Sequence, residues 1–253
     1  MKTLFVGQNS IHVESIGSTN SYASEMLRQI QLSEGSVIYS FSQLDGRGQR
    51  GNFWESEPTK NLALSYVLYP KFLPLEKQFL LTKITSLAVA DVLAEMLQEY
   101  NIKAKVSIKW PNDIYVNDKK IAGILIENTL KETVIQSSVI GIGINVNQKV
   151  FNSTNKATSL ISILKKEISL TAVLERLCDF FEARYLQLKS NKLDVLDKAY
   201  LDRLYKIDEW ANFRNAQGVF QGKIKGVSEF GKLVVEVNNG DLLLFDLKEI
   251  GFI

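Results

Sequence analysis

Residues 76–100 constrain the fold more than any other part of the chain. Apolar side chains at 80, 81, 84, 87, 88, 92 and 96 recur on one face of a 3.6-residue period, which predicts a long helix with a single buried stripe. The segments on either side of it read as strands. Residues 37–41 are a compact apolar run, and residues 62–69 are another that stops at Pro70. Val106, Ile108 and Trp110 alternate as a strand does. Residues 114–116 and 121–126 read as a hairpin turning at Asn117-Asp118, and residues 134–146 form a further strand region.

Other helices are legible from caps and spacing. Ser18 or Thr19 can cap a helix running to about residue 30, with Tyr22, Ala23, Met26, Leu27 and Ile30 on its apolar side. A polar loop covers roughly 147–158, and helices follow at about 171–190 and 193–205. From about residue 208 the texture changes. Turns at 215–218, 229–231 and 238–241 separate short strand-like runs at 219–224, 233–237 and 242–245, which predicts a small β-barrel or meander. The expected division is a main domain over 1–207 and a small C-terminal one over 208–253, in keeping with a length of 253 residues.

Composition excludes several chemistries. One cysteine, Cys178, cannot form an intrachain disulfide or a thiolate metal cage. One histidine, His12, rules out a His-rich metal site, and its surroundings in residues 10–14 read as a strand edge. A net charge of +2 gives no broad basic field of the kind duplex-DNA binders show, so local basic residues are read as sites. No apolar run suits a signal peptide or a membrane span, so a cytoplasmic protein with no membrane partner is expected.

The chemistry is carried by three segments. Gly46-Arg47-Gly48-Gln49-Arg50-Gly51 follows a predicted buried strand. Lys109-Trp110-Pro111-Asn112-Asp113 closes another, since Pro111 cannot donate to a central ladder. Lys119-Lys120-Ile121-Ala122-Gly123 comes soon after. Glycines let backbone N–H groups approach an anion, and Arg and Lys neutralise the remaining charge, so the set suits a triphosphate. Gly123, Gly141 and Gly143 lie within apolar strands, where a glycine marks either a bulge or the close approach of a ligand. Taken singly, the loop could be a solvated turn, Trp110 a packing residue, and the lysines ordinary surface charges.

Taken together, these segments resemble the biotin–protein ligases. The resemblance rests on Ser18-Thr19-Asn20, Gln43 with residues 46–51, Trp54, residues 109–113, residues 119–123 and residues 141–145, in matching order and spacing. It implies an α+β class II synthetase-like fold, with a mixed, mainly antiparallel sheet flanked by helices and a small C-terminal β-barrel. It also implies ATP-dependent attachment of biotin to a carrier lysine through biotinyl-5′-AMP, with Mg²⁺ accompanying ATP. Ser18, Thr19, Asn20, Gln43, Gly46, Gly123 and Ile142 would line the biotin pocket. Arg47 and Gly48 would meet the carboxylate and α-phosphate. Lys120 would bridge the two, and Lys109 would stabilise charge at phosphorus. Arg50, Trp54, Asn112, Asp113 and Asn145 would serve the nucleotide, with no dedicated protein cage for the metal near Asn112 and Asp113. Asp113 would also orient the acceptor amine.

The implied carrier is the biotin-accepting domain of an acyl-CoA carboxylase, and the resemblance admits a homodimer. Family members that also repress transcription carry a DNA-binding domain ahead of the ligase. Ser18 lies too near the start of this sequence for one, so no DNA partner of that type is expected. Gln49 stands where some members have Arg, and Asn52-Phe53 replaces a basic pair, which puts tight retention of the intermediate in doubt. No terminal arginine follows Ile253, so no nucleotide contact is carried to that end. The loop is expected to be mobile when empty. The rival readings are a lipoate or octanoate ligase of the same fold, and a non-catalytic biotin-binding sensor. The arginine–glycine loop favours biotin over the first, and Arg47, Lys109 and Lys120 argue against the second.

Overall fold

The computed structural model describes residues 2–152 and 156–253; the side chain of Arg50 and residues 153–155 of the predicted polar loop lie outside the described residues. In chain order the elements are β1 (Ser10–His12), α1 (Thr19–Gln29), β2 (Ser36–Ser40), β3 (Gly46–Arg47), β4 (Phe53–Trp54), β5 (Leu62–Leu68), α2 (Phe79–Glu99), β6 (Val106–Lys109), β7 (Asp113–Val116), β8 (Lys119–Lys131) and β9 (Val134–Ile144). They continue with α3 (Leu160–Leu164), α4 (Leu170–Lys189), α5 (Leu193–Leu201), β10 (Trp210–Asn215), β11 (Gly218–Val227), β12 (Leu233–Val237), β13 (Leu242–Phe245) and β14 (Gly251–Phe252).

A seven-stranded sheet runs β1-β2-β5-β9-β8-β7-β6. Only β1 and β2 pair in parallel; every other neighbour is antiparallel, so the sheet is mixed and mainly antiparallel. Side chains alternate across it. Val37, Leu64, Tyr66, Ile140 and Ile142 belong to the main core with α2 and α4, while Ile38, Val67 and Val139 pack on the other face with Ala23 of α1. The face that carries α1 is left open along β9, β8 and β7, and the cleft forms there.

The helix predicted over 76–100 begins at Phe79, because Pro74 leads into a separate 3₁₀ turn, Leu75–Lys77. It is buried on more than its predicted stripe, since the sheet covers one side and α4 and α5 the other. The helix predicted to reach 205 stops at Leu201. Tyr205 N–H donates to the Ile108 carbonyl and Ile108 N–H to the Arg203 carbonyl, so tertiary pairing with β6 takes those backbone groups from the helix.

The C-terminal strands form a five-stranded antiparallel sheet, β13-β12-β11-β10-β14, a meander whose end strands β13 and β14 are not paired with each other. β10 was not anticipated. The apolar core continues into this sheet through Phe213, Ile224, Leu233 and Val235. Trp110 joins the two sheets, with its indole N–H donating to the Gly231 carbonyl at 2.9 Å. No helix of the described residues is long and apolar enough to cross a membrane.

Candidate functional site

The cleft starts at the N-terminus of α1. Ser18 caps the helix, its side chain accepting from Ser21 N–H. Gln43 Oε1 accepts from Thr19 N–H at 2.9 Å, tying the strand-end segment to the helix. Asn20 is almost fully buried; its Nδ2 donates to Glu127 Oε2 at 2.7 Å and to the Leu125 carbonyl at 3.2 Å, and its Oδ1 lies 2.6 Å from Ser65 Oγ. The result is a fixed, polar, water-poor corner. Gly141 makes room for it, since a Cβ there would stand 2.3 Å from Asn20 Oδ1.

Beside this corner the sheet register lays a row of residues across five strands. Lys109 pairs with Asp113, Asp113 with Gly123, Gly123 with Gly143, and Gly143 with Ala63. Directly opposed residues share a face, so a cation and a carboxylate stand beside a floor stripped of side chains. A β-bulge between Ile114 and Tyr115 shifts the pairing so that Tyr115 faces Lys120 while Ile121 and Ala122 both turn into the core. That shift brings Lys120 to the cleft, where its Nζ lies 2.7 Å from Asp113 Oδ1.

The glycine-rich segment folds into a small hairpin in which Gly46 pairs with Trp54 and Arg47 with Phe53. A Cβ on Gly46 would meet the Trp54 carbonyl oxygen at 2.5 Å, so the tight pairing needs glycine. Trp54 lies against the glycine floor; a Cβ on Gly143 would be 2.6 Å from its indole. Lys120 Nζ sits 5.4 Å from the centre of the Trp54 ring. Trp54 Nε1 is buried with no hydrogen-bond partner among the described residues, a donor left open to a ligand. Arg47 is exposed and reaches Glu127 at 3.3 Å.

Lys109 has a different setting. Its ammonium lies 3.2 Å from the Tyr115 hydroxyl and within cation–π range of Tyr115 and Phe252. Burial lowers its pKa; nearby Asp113 pulls the other way, and Lys156, Lys120 and Lys206 reinforce the lowering. Burial, with Asp113 nearby, pushes the Tyr115 phenol up to about 12.

The cleft encloses about 360 Å³, enough for a small ligand. Its walls bring together Ser18, Thr19, Asn20, Gln43, Arg47 and Gly48 with Trp54, Asn112, Asp113, Lys120, Gly123 and Ile142. Gly46, Lys109 and Asn145 do not line it. Gly46 supports the hairpin, Lys109 rests against the Tyr115 and Phe252 rings at the edge of the cleft, and Asn145 is buried with its Nδ2 donating to the Thr158 carbonyl at 3.0 Å. The Asn145 Oδ1 has no hydrogen-bond partner among the described residues. Of Arg50 only the backbone is described.

Sequence reasoning missed Leu125, Glu127, Tyr115 and the C-terminal residues Leu247, Lys248, Ile250 and Phe252, most of which line the cleft. The segment from Leu247 to Phe252 therefore does reach the site. No sequence signal near residue 250 points to β6. Among the described residues no cluster of three metal-ligating side chains occurs. Asp113 is held by Lys120, and Asn112 Nδ2 donates to the Ile124 carbonyl at 2.6 Å, so one carboxylate and one amide oxygen are what this part of the wall could offer a cation.

Comparison with known proteins agrees with this geometry. Residues 12–145 match the model of the biotin/lipoate A/B protein ligase family. The chain is 31% identical over 244 residues to the bifunctional ligase/repressor BirA of Bacillus subtilis, covering 95% of this chain and 73% of that protein. It is 27% identical to the biotin–[acetyl-CoA-carboxylase] ligase of Paracoccus denitrificans, covering 87% and 92%. Among solved structures, the biotin protein ligase from Aquifex aeolicus in complex with biotin and ATP superposes with a TM-score of 0.79 at 26% identity, covering 96% and 98%.

Proposed function

The chain belongs to the biotin/lipoate A/B protein ligase family, and on that premise we propose that it is a biotin–protein ligase, attaching biotin to a carrier lysine at the expense of ATP. The observation that carries the reading is the cross-strand row of Lys109, Asp113, Gly123 and Gly143 beside the buried polar corner of α1. The solved structure of the Aquifex aeolicus protein is a complex with biotin and ATP, and the reading draws support from that likeness and from the cleft that joins the polar corner to the lysines here.

In the first step a carboxylate oxygen of biotin attacks the α-phosphorus of ATP. The bond to the β-phosphate breaks, and pyrophosphate leaves, giving biotinyl-5′-AMP. A carboxylate of ordinary pKa, about 4–5, is already ionised at neutral pH, so this step needs no base. It needs two anions held in line, which is work for position and positive charge. Thr19, Asn20 and Gln43 hold the biotin head against Gly123 and the backbone at Ile142. Arg47 and the backbone at Gly48 meet the carboxylate and phosphate. Lys120 leaves Asp113 to bridge them, and Lys109 takes up charge developing at phosphorus. Trp54, Arg50 and Asn112 serve the nucleotide, and Asn145, buried beside the cleft, holds the segment at Thr158. Mg²⁺ accompanying ATP would be held at Asp113 and the Asn112 amide oxygen, and would supply positive charge to the phosphates.

In the second step the carrier lysine amine attacks the acyl carbon, AMP leaves, and the amine gives up a proton. An ordinary lysine, pKa about 10.4, is neutral in roughly one molecule per thousand near pH 7.4. Asp113, freed from Lys120, orients the amine and accepts that proton. On this reading residues 1–207 are the catalytic unit and 208–253 close one side of the cleft. The carrier is the biotin-accepting domain of an acyl-CoA carboxylase, and the reaction is cytoplasmic. The test is incubation with biotin, MgATP and that carrier domain, read by intact mass. Biotin mass added to one carrier lysine supports the reading; an unmodified carrier in the presence of folded protein refutes it.

A further inference from the structure

Lys109 and Lys120 both stand at the phosphate side of the cleft, yet they are held in different ways. Lys120 is paired with a carboxylate at 2.7 Å. Among the described residues, the close partners of Lys109 are a phenol and two ring faces. Its Nζ lies 3.2 Å from Tyr115 Oη, 5.1 Å from the Tyr115 ring centre and 4.7 Å from that of Phe252. An ammonium held by ring quadrupoles is fixed in place without having its charge cancelled, so it remains available to an arriving phosphate.

The Phe252 ring is itself well anchored. β14 pairs with β10, placing Phe252 opposite Phe213, and the two rings meet edge-on with centres 5.2 Å apart. Tyr205 packs on it at 6.0 Å and on Tyr115 at 5.3 Å, and Tyr205 Oη is bonded to Asp118 at 2.8 Å. The cage around Lys109 is thus assembled from β7, the segment after α5, and the last strand of the C-terminal sheet. Phe252 also lines the cleft, so the ring that holds the ammonium borders the ligand space. The lowered pKa of Lys109, with Asp113, Lys120, Lys156 and Lys206 as its charged neighbours, fits an ammonium shielded from water.

We propose that Phe252 is a positioning residue for adenylation, whose ring holds the Lys109 ammonium in place for the nucleotide phosphates without tying it to a carboxylate. This rests on the ligase reading above. It gives the C-terminal sheet a part in the first chemical step through a single ring.

The test compares Phe252→Leu, which keeps bulk but loses the ring, with Phe252→Tyr, which keeps the ring. Three quantities are read on the full chain: kcat and KM for ATP in biotin-dependent ATP–pyrophosphate exchange, biotin affinity by calorimetry, and the chemical shift of the Lys109 ε-methylene, assigned with Lys109→Arg. The expected result for Phe252→Leu is a fall in kcat or a rise in KM for ATP of about three- to tenfold, the range of a partly desolvated cation–π contact. Biotin affinity should stay within about twofold, and the ε-methylene signal should move downfield as the ring current is lost. Phe252→Tyr should restore both the rate and the shift. Wild-type exchange kinetics in Phe252→Leu would overturn the inference whatever the resonance does. Equal losses in both variants would overturn it too, by assigning the effect to the strand rather than the ring. If the wild type shows no exchange with biotin, the ligase reading itself fails, while an unmoved ε-methylene signal in Phe252→Leu separately refutes the placement.

Discussion

Gly141→Ala tests the polar corner most severely, and its cost can be worked out from the contacts. The new Cβ would stand 2.3 Å from Asn20 Oδ1 and 2.9 Å from its Cγ, well inside contact distance. Asn20 is nearly fully buried and cannot move aside without turning its amide away from Ser65 Oγ and the Leu125 carbonyl. Two lost hydrogen bonds at about 1–1.5 kcal/mol each give about 2–3 kcal/mol. Replacing a strand glycine by alanine recovers about 0.5–1 kcal/mol of backbone entropy. The net destabilisation is about 1–2.5 kcal/mol, read as a shift in the urea midpoint at constant m. Asn20 is also proposed to hold the biotin head, so biotin affinity measured by calorimetry should weaken by about five- to seventyfold if the same energy is lost from binding. Gly143→Ala is the control on the same strand and face. Its Cβ would meet the Trp54 indole at 2.6 Å, but Trp54 sits on a two-residue strand paired only with β3 and can yield. Its stability cost should stay below about 1 kcal/mol. Wild-type stability and biotin affinity in Gly141→Ala, or a larger loss in Gly143→Ala, would refute the packing argument.

Lys120→Ala should abolish biotin-dependent pyrophosphate exchange while leaving the unfolding free energy from urea titration within about 0.5 kcal/mol, since its ion pair with Asp113 is partly exposed. Arg47→Ala should raise KM for biotin more than it lowers kcat, measured in the same exchange assay. Asp113→Asn should slow transfer from preformed biotinyl-AMP to the carrier, and unchanged transfer would remove its proposed role with the amine. Because burial lowers the Lys109 pKa, its positive charge is lost at lower pH than that of a free lysine. Between those two pKa values the unfolded chain binds more protons, so this residue's contribution to stability grows as pH rises through the window, while exchange activity falls. Cys178 is buried and its thiol is pushed up to about 11, so the native protein should resist thiol reagents at pH 8 and react only on unfolding.

The elements with local signals were legible. Ser18 does cap α1, the Asn117 turn joins β7 to β8, and Trp110 does pack, against Gly231. What sequence could not supply was set by tertiary pairing. β10 has one buried side chain, Phe213, and too little apolar alternation to announce itself; it exists because β11 and β14 pair with its two edges. The candidate site shows the same division. The lysines, Asp113 and the strand glycines stood out as residue types, but their alignment in one row follows from register, and the approach of Lys120 to Asp113 follows from a bulge. Glu127 and Phe252 carried no signal because each acts only through a partner far away in sequence.

The central claim is adenylation of biotin in this cleft, and ATP–pyrophosphate exchange with biotin, lipoate and octanoate supplied separately measures it most directly. Exchange is expected with biotin alone, dependent on Mg²⁺ and lost in Lys120→Ala. Exchange driven by lipoate or octanoate instead, or by none of the three acids with folded protein, would contradict it.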